Sequence, residues 1–432
     1  MNTKQTEIGD LMYKWATDLF PINRSLTGEG VRETLRYIKN VLPELTVKSI
    51  ASGEQVFDWE IPNEWNVKDA YIETPQGKKI ANFKENNLHL MGYSIPINET
   101  VSLDDLQSHL HTIKEMPNAI PYVTSYYNKN WGFCISENER LQLKEGDYKI
   151  VIDSKLEKGE LNYAEIILPG TESKEILIST YICHPSMANN ELSGPVVTMQ
   201  LIKWLKEQDQ LRYTYRIVFV PETIGSVAYI SENFKSLKEN VLGGFVVTCV
   251  GDDNNFSILT SKWGNSLFDK IGLNVLKNHT NDNFKMYSFL ERGSDERQYS
   301  SVGVDLPIIN LMRSKYGEYK EYHTSLDNLN YISPKGLLGG YEIHRKSIYL
   351  LENNYKYKVA LPCEPQLGKR GLYPNISTVD TQKKIEVMMN IIAYSDGEKD
   401  LIDVANIIEA DGGKCISIIK QLMIAKVIVK VD

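Results

Sequence analysis

The chain has 432 residues, 42% of them hydrophobic and 24% charged, with a formal net charge of −8. That length can bury large cores and suits two or three domains, while the negative balance speaks against a general affinity for nucleic acid or an anionic membrane. No run approaches the roughly 20 apolar residues of a membrane-spanning helix, and MNTKQTEIGDLMYKW has no signal-peptide core or cleavage site, so a cytoplasmic protein without membrane contact is expected.

Residues 6–42 predict two helices. "IGDLMYKWATDLF" and "GVRETLRYIKNVLP" carry apolar residues at helical spacing, and the second stops before Pro43. From 52 to 165 short alternating runs separated by Asn-, Gly- and Pro-based turns predict an inserted β-rich segment, a lid or an interface. Residues 174–352 alternate strand and helix: "KEILISTYI", "YRIVFVP", "GGFVVTCVG" and "DLPIINLM" are strands, each followed by an amphipathic helix. Continuous apolar strands between such helices predict an α/β fold with a mostly parallel sheet covered on both faces. The main domain is thus expected over 1–51 and 166–377. Residues 378–432 read as three short helices and a closing strand, a winged helix-turn-helix. From 395 to 432 that tail has five Lys against seven Asp and Glu, whereas a DNA-binding wing is usually basic. Protein contact or dimerisation is therefore expected of it, and nucleic acid is not.

In such sheets ligands bind beyond the carboxyl ends of the strands, and polar residues collect there. Cys183-His184 leads to Asn189-Asn190-Glu191, "VFVPETIGS" places Glu222 and Thr223, and "TCVGDD" gives Asp252 and Asp253. "ERGSDERQY" carries Arg292, Asp295, Glu296 and Arg297, and "EYHTSLDNL" carries Tyr322 and His323. Each has a bland alternative: a hydrogen-bonded histidine, a helix-capping Glu222, an Asp252 turn, an ion-pair network in "RGSDER". The five cysteines (Cys134, Cys183, Cys249, Cys363, Cys415) include no CxxC, so a metal site would use histidine and carboxylate. Two His and a Glu at three strand ends form the ligand set of a catalytic zinc with an open position.

The order of these motifs resembles the co-catalytic zinc aminopeptidases of the bacterial leucyl aminopeptidase type, to which glutaminyl cyclases also belong. More closely, "RSLTGEGVRETL", "CHPS", "PETIGS", "GSDERQY" and "EYHTSLDNL" resemble a bacterial family of aminopeptidase-like proteins with a zinc-exopeptidase fold, an inserted β domain and a C-terminal winged helix. The resemblance implies that His184 and His323 each hold a metal. Asn190 falls where the peptidases have the aspartate that bridges two metals, and Glu222 falls in their Glu-Glu-x-Gly pair. Counted back from Gly225, Glu222 is the general base and Thr223 stands where a ligand belongs; a small shift makes Glu222 the ligand. The later aspartate ligand falls near Thr248, with Asp252 only a nearby substitute, and Glu191 or Asp252 is the candidate fourth ligand.

A neutral amide cannot offset the repulsion of two dications, so one tightly held zinc is expected rather than two, on His184, Glu222 and His323. The expected activity is a zinc-dependent, aminopeptidase-type hydrolysis of a small peptide or amino-acyl conjugate. Glu222, Asp295 or Glu296 would move the proton, and Arg292, Arg297 and Tyr322 would line the substrate. Two alternatives stay open: an amidohydrolase or acyltransferase on an amino-sugar or polysaccharide precursor, and an inactive binding scaffold.

Overall fold

Seven consecutive buried residues, Glu175–Tyr181, form the central strand of an eight-stranded sheet. Burial on both faces is what an uninterrupted apolar run requires. This strand pairs in parallel with Thr214–Val220 on one side and Val241–Val246 on the other, and the latter pairs in parallel with Ile308–Met312. The outer strands were less legible. Glu160–Leu168 and Thr46–Ala51 extend one side as antiparallel strands. On the other side Ser257–Leu259 lies antiparallel to Ile308–Met312, with Lys285–Tyr287 beyond it. The computed structural model describes residues 3–372 and 379–431. The expected domain limits at 1, 377, 378 and 432 lie outside the described residues.

Helices cover both faces, as the pattern predicted. Thr3–Leu19, Ser193–Lys206, Leu267–Thr280 and Pro334–Glu352 contribute to one buried cluster. Ile224–Asn240 packs into a second, with Val218, Val246 and Ile308 from the sheet. Gly194, in the first turn of Ser193–Lys206, permits a close approach: a Cβ there would lie 2.3 Å from the Val247 carbonyl oxygen.

The inserted segment has its own antiparallel sheet, in which Glu64–Glu73 and Asp147–Glu157 are the long strands. Its core holds Trp65, Tyr93, Phe133 and Tyr148. The chain leaves that sheet at Glu157, and the next strand, running through residue 165, belongs to the large sheet. One loop of the insert returns to the main domain, where the Tyr122 N–H donates to the His323 carbonyl at 2.9 Å and the Ser325 N–H to Ile120.

The tail contains helices Val379–Tyr394, Leu401–Ile407 and Gly412–Ile424. Its small sheet uses Lys356–Val359 as the middle strand, ahead of the expected limit. The tail shares the larger buried cluster and is tied to helix Leu267–Thr280 through Lys270–Asp403 at 2.7 Å and Asn274 Nδ2 donating to the Ala410 carbonyl. Among the described residues no helix is long and apolar enough to cross a membrane.

Candidate metal centre

At one rim of the sheet, four non-glycine residues take left-handed backbone angles: Ser186 (φ 45°), Thr223 (φ 64°), Cys249 (φ 53°) and His323 (φ 55°). Such angles are uncommon outside glycine and cost of order 1–3 kcal/mol each. They persist where surrounding contacts fix them, and each loop here follows a strand of the parallel core. The site's side chains come from these loops.

His184 is 3% exposed. Its Nδ1 meets the Glu191 carboxylate at 2.9 Å. Its backbone carbonyl accepts from Arg24 Nε at 3.0 Å. Arg24, Glu191 and His184 therefore form a buried chain, closed by the Arg24–Glu191 ion pair at 3.6 Å. Glu191 projects from the π-helical turn Ala188–Leu192. With Nδ1 committed to Glu191, the imidazole presents Nε2 to the rim, where Glu222 Oε2 stands 3.6 Å away. Cys183 Sγ also lies near, forming with His184 and Glu191 a group of ligating atoms within 4.8 Å of one another. Burial pushes that thiol up to about 11, so it remains protonated, and it accepts the Glu222 N–H.

Glu222 is oriented by Ser294, whose hydroxyl donates to Oε1 at 2.8 Å. Burial raises its carboxyl above the usual range, against the pull of His184 and the Ser294 hydrogen bond. Asp295 receives the Thr223 N–H and the Ser226 hydroxyl on Oδ1, both at 2.8 Å, while buried Oδ2 has no partner. Burial first, then the Glu222 charge, pushes Asp295 up to about 8. Arg297 reaches Thr223 Oγ1 at 2.6 Å. Glu296 takes a different place from the proton-transfer role expected of it. Gly293 N–H, Ser294 N–H, the Tyr316 hydroxyl and Asn310 Nδ2 all donate to its carboxylate, which fixes the Gly293-Ser294 turn.

His323 stands beside His184, with ring centroids 5.4 Å apart. Its Nε2 is buried and has no hydrogen-bond partner. Burial and the neighbouring His184 charge push it down to about 3, so the ring is neutral with a lone pair available. Tyr322 stacks on it at 3.8 Å. Tyr122, from the insert, sets its ring edge-on to both histidines, 5.4 Å from His184 and 5.2 Å from His323. Nothing in the sequence marked Tyr122, which lies 62 residues ahead of His184 inside a β-rich segment.

Other expected ligands are drawn elsewhere. Asn190 Oδ1 accepts from the Tyr181 hydroxyl at 3.0 Å. Asp252 accepts from Ser314 N–H and Oγ, from the Asn254 N–H and from Asn189 Nδ2, so its carboxylate holds loops together away from His184. Arg292 folds onto its own turn, donating to the Phe289 carbonyl. The structure thus gathers His184, Glu222, His323, Glu191 and Tyr322, and does not bring Asp252, Glu296 or Arg292 to them.

Asp327 carries a role the "YHTSLD" phrase could have signalled. Its carboxylate accepts the Asn189 and Asn190 N–H groups at 2.6 and 3.0 Å and the Tyr319 hydroxyl at 2.8 Å. It thereby ties the His323 loop to the loop carrying Glu191. Burial, opposed by those N–H donors, pushes it up to about 6. Asp327→Ala strands three buried donors, and an unmade buried hydrogen bond costs about 1–3 kcal/mol. A loss of about 3 kcal/mol is expected in urea unfolding; a change below about 1 kcal/mol would contradict the clamp.

A parallel-core sheet with histidines and carboxylates at its rim, a β insert and a winged tail define an aminopeptidase-like α/β protein with an added winged helix. The chain belongs to the family described as "Domain of unknown function (DUF4910)", whose profile matches residues 13–354, and a winged helix-turn-helix profile matches residues 355–430. A Clostridium acetobutylicum protein, provisionally named for polysaccharide biosynthesis with an aminopeptidase-like domain, is 45% identical over 402 residues, covering 93% of this chain and 92% of the relative. The crystal structure of a C. acetobutylicum protein provisionally assigned as a peptidase superposes with a TM-score of 0.93 at 41% identity, covering 99% and 97% of the two chains. The zinc aminopeptidase of Bacillus subtilis matches with a TM-score of 0.57 at 13% identity over 79% of this chain and 94% of its own, a likeness of fold alone.

Proposed function

We propose that the chain is a zinc-dependent hydrolase of aminopeptidase type that cleaves an amide bond in a small peptide or amino-acyl conjugate. One observation carries the reading. His184 Nε2 faces Glu222 Oε2 at 3.6 Å while the buried Nε2 of His323, in the neighbouring ring, has no partner. Two ligands on one tetrahedral zinc, with bonds of about 2.0–2.2 Å, stand roughly 3.4 Å apart. The spacing suits His184 and Glu222 as two ligands of one ion and favours Glu222 as ligand over Glu222 as base. The ligating atoms of His184, Glu222 and His323 do not all fall within 4.8 Å of one another, so His323 completes the set by a small movement of its ring on metal binding.

A bound zinc supplies an activated water and polarises the carbonyl under attack. The chain's own residues do the rest. Glu191 holds the tautomer and direction of His184, the hydrogen-bonded partner that ligating imidazoles usually have. Ser294 turns Glu222, and Tyr122 and Tyr322 cover the two imidazoles and narrow the space for substrate. Asp295, pushed up to about 8 by burial and by the Glu222 charge, is the carboxyl best matched to exchanging a proton there. Arg297, exposed beside Thr223, offers a cation to an anionic part of the substrate. Asn190 and Thr223 are neutral where a second ion would need carboxylates, which favours a single metal.

Metal analysis tests this directly. Protein purified without tag or chelator is expected to hold about one zinc per chain, lost together with amide hydrolysis on dialysis against a chelator. No zinc after loading and dialysis would remove the hydrolase reading and favour an inactive scaffold. The name of the C. acetobutylicum relative favours a second reading, amide hydrolysis or acyl transfer on an amino-sugar or polysaccharide precursor at the same centre. Acetylated amino sugars alongside aminoacyl amides in the substrate panel separate the two. We assign the tail, whose acidic residues outnumber its lysines, to protein contact or dimerisation, with sedimentation as its measurement.

A further inference from the structure

At the sheet edge formed by Ser257–Leu259 and Lys285–Tyr287, two cavities of about 560 and 430 Å³ adjoin. Both are the size of small-molecule sites, about 300–1,000 Å³. They share Lys285 and Arg313, and none of the residues gathered around His184 lines either.

Arg313 is 5% exposed. Its guanidinium lies 3.7 Å over the Phe256 ring, and Nε donates to the Asp252 carbonyl at 2.7 Å. At the edge of this stacked pair, a Cβ on Gly339 would come within 2.8 Å of Nη1 and 3.2 Å of Phe256 Cζ, so helix Pro334–Glu352 leaves room for both. Among the described residues no carboxylate pairs with Arg313, Lys285 or Lys315 within 4.0 Å; Lys315, 7% exposed, donates only to the Tyr316 carbonyl. The nearby acids are mostly engaged or peripheral: the Asp252 carboxylate, whose charge acts on Arg313, is held by Ser314, and Glu321 lines the second cavity. Asp253 accepts from Ser333 and faces Lys335, Glu342 pairs with Arg345, and Glu318 is exposed. Burying a guanidinium and an ammonium with no carboxylate in contact is costly, and the Asp252 and Asp253 charges near Arg313 offset that cost only in part, which leaves room for an anion. Phe284 lines one cavity and Tyr331 the other, surfaces against which a sugar face or a base can stack.

We propose that this double cleft binds a phosphate ester of a ring compound, a sugar phosphate or a nucleotide, with the phosphate on Arg313, Lys285 and Lys315 and the ring against the aromatic wall. A planar guanidinium held against an aromatic ring is suited to phosphate oxygens. The cleft is separate from the candidate metal centre, so this inference stands or falls apart from the hydrolase reading.

Calorimetric titration of the full chain with uridine diphosphate, glucose 1-phosphate, glucose and inorganic phosphate tests it. One of the two esters is expected to bind with a Kd below about 1 mM, the preferred one telling nucleotide from sugar phosphate, while glucose gives no heat. Lys285→Glu, at an exposed position, is expected to weaken that binding at least about fivefold without changing amide hydrolysis, and Arg313→Gln at least about tenfold. Because Arg313 also holds Asp252, the Lys285 variant keeps the test valid if Arg313→Gln misfolds. Absence of heat with both esters, equal affinity for inorganic phosphate alone, or unchanged binding in Lys285→Glu would overturn the proposal.

Discussion

Replacing His323 with alanine is expected to strip the zinc and to lower amide hydrolysis about a thousandfold, equivalent to about 4 kcal/mol of transition-state stabilisation. The fold should survive. A half-buried imidazole whose buried Nε2 has no partner contributes an unsatisfied polar atom, which costs about 1–3 kcal/mol. The metal-free variant is therefore expected to unfold at the same urea concentration as the metal-free parent, or at a higher one. A side chain kept for ligation, at some expense of stability, behaves this way; one kept for packing would leave a cavity and a lower midpoint.

Glu222→Gln sharpens the same prediction. An amide keeps the shape and the Ser294 contact but loses the charge. As a ligand, Glu222 is expected to take the zinc with it, so metal content and turnover fall together. As a general base it would leave the metal in place and abolish turnover alone. The 3.6 Å between Glu222 Oε2 and His184 Nε2 favours the first outcome. Full turnover with full metal would remove Glu222 from the mechanism, and with it the assignment of this rim.

The parallel core was legible because its strands are buried on both faces, so apolar runs such as "ILIST" leave little choice of structure. The edge strands were not. Ser257–Leu259 and Lys285–Tyr287 have three residues each, too few to show a period, and the pairing of Thr46–Ala51 with Glu160–Leu168 spans more than a hundred residues. At the rim, His184, Glu222 and His323 could be found because each closes a strand or an adjoining loop. Asp252 looked equivalent by the same rule, yet the Ser314 and Asn189 contacts turn it inward. Glu296, next to Asp295, differs from it in one respect that sequence does not carry: four donors already surround its carboxylate. Tyr122 reaches the site only because the Pro121–Thr324 bridge joins two distant loops.

Arg24→Met is expected to cost about 3–5 kcal/mol of unfolding free energy, the usual loss when one partner of a buried ion pair is removed. Arg24 is among the largest fully buried side chains; its Nη1 donates to the Leu19 carbonyl at 2.7 Å and its Nε to that of His184 at 3.0 Å. It thereby joins the first helix, the His184 loop and Glu191. Methionine fills comparable volume but takes the donor from the buried His184 carbonyl, leaves the Leu19 carbonyl only the Ile22 N–H, and leaves Glu191 facing only His184. Glu191→Gln alone is expected to weaken zinc binding about 10–100-fold, as when the partner of a ligating histidine is lost, because its amide oxygen still accepts from Nδ1 but no longer carries the charge. The double variant decides whether the pair acts as a unit. If Arg24 serves chiefly to balance Glu191, the two stability losses should fall short of additive by about 1–3 kcal/mol. If it serves chiefly to hold the His184 and Leu19 carbonyls, they should add, and urea unfolding of the four proteins measures which. Either result bears on the metal, since Arg24 fixes the backbone of the histidine whose Nε2 faces the rim, and Glu191 fixes its ring.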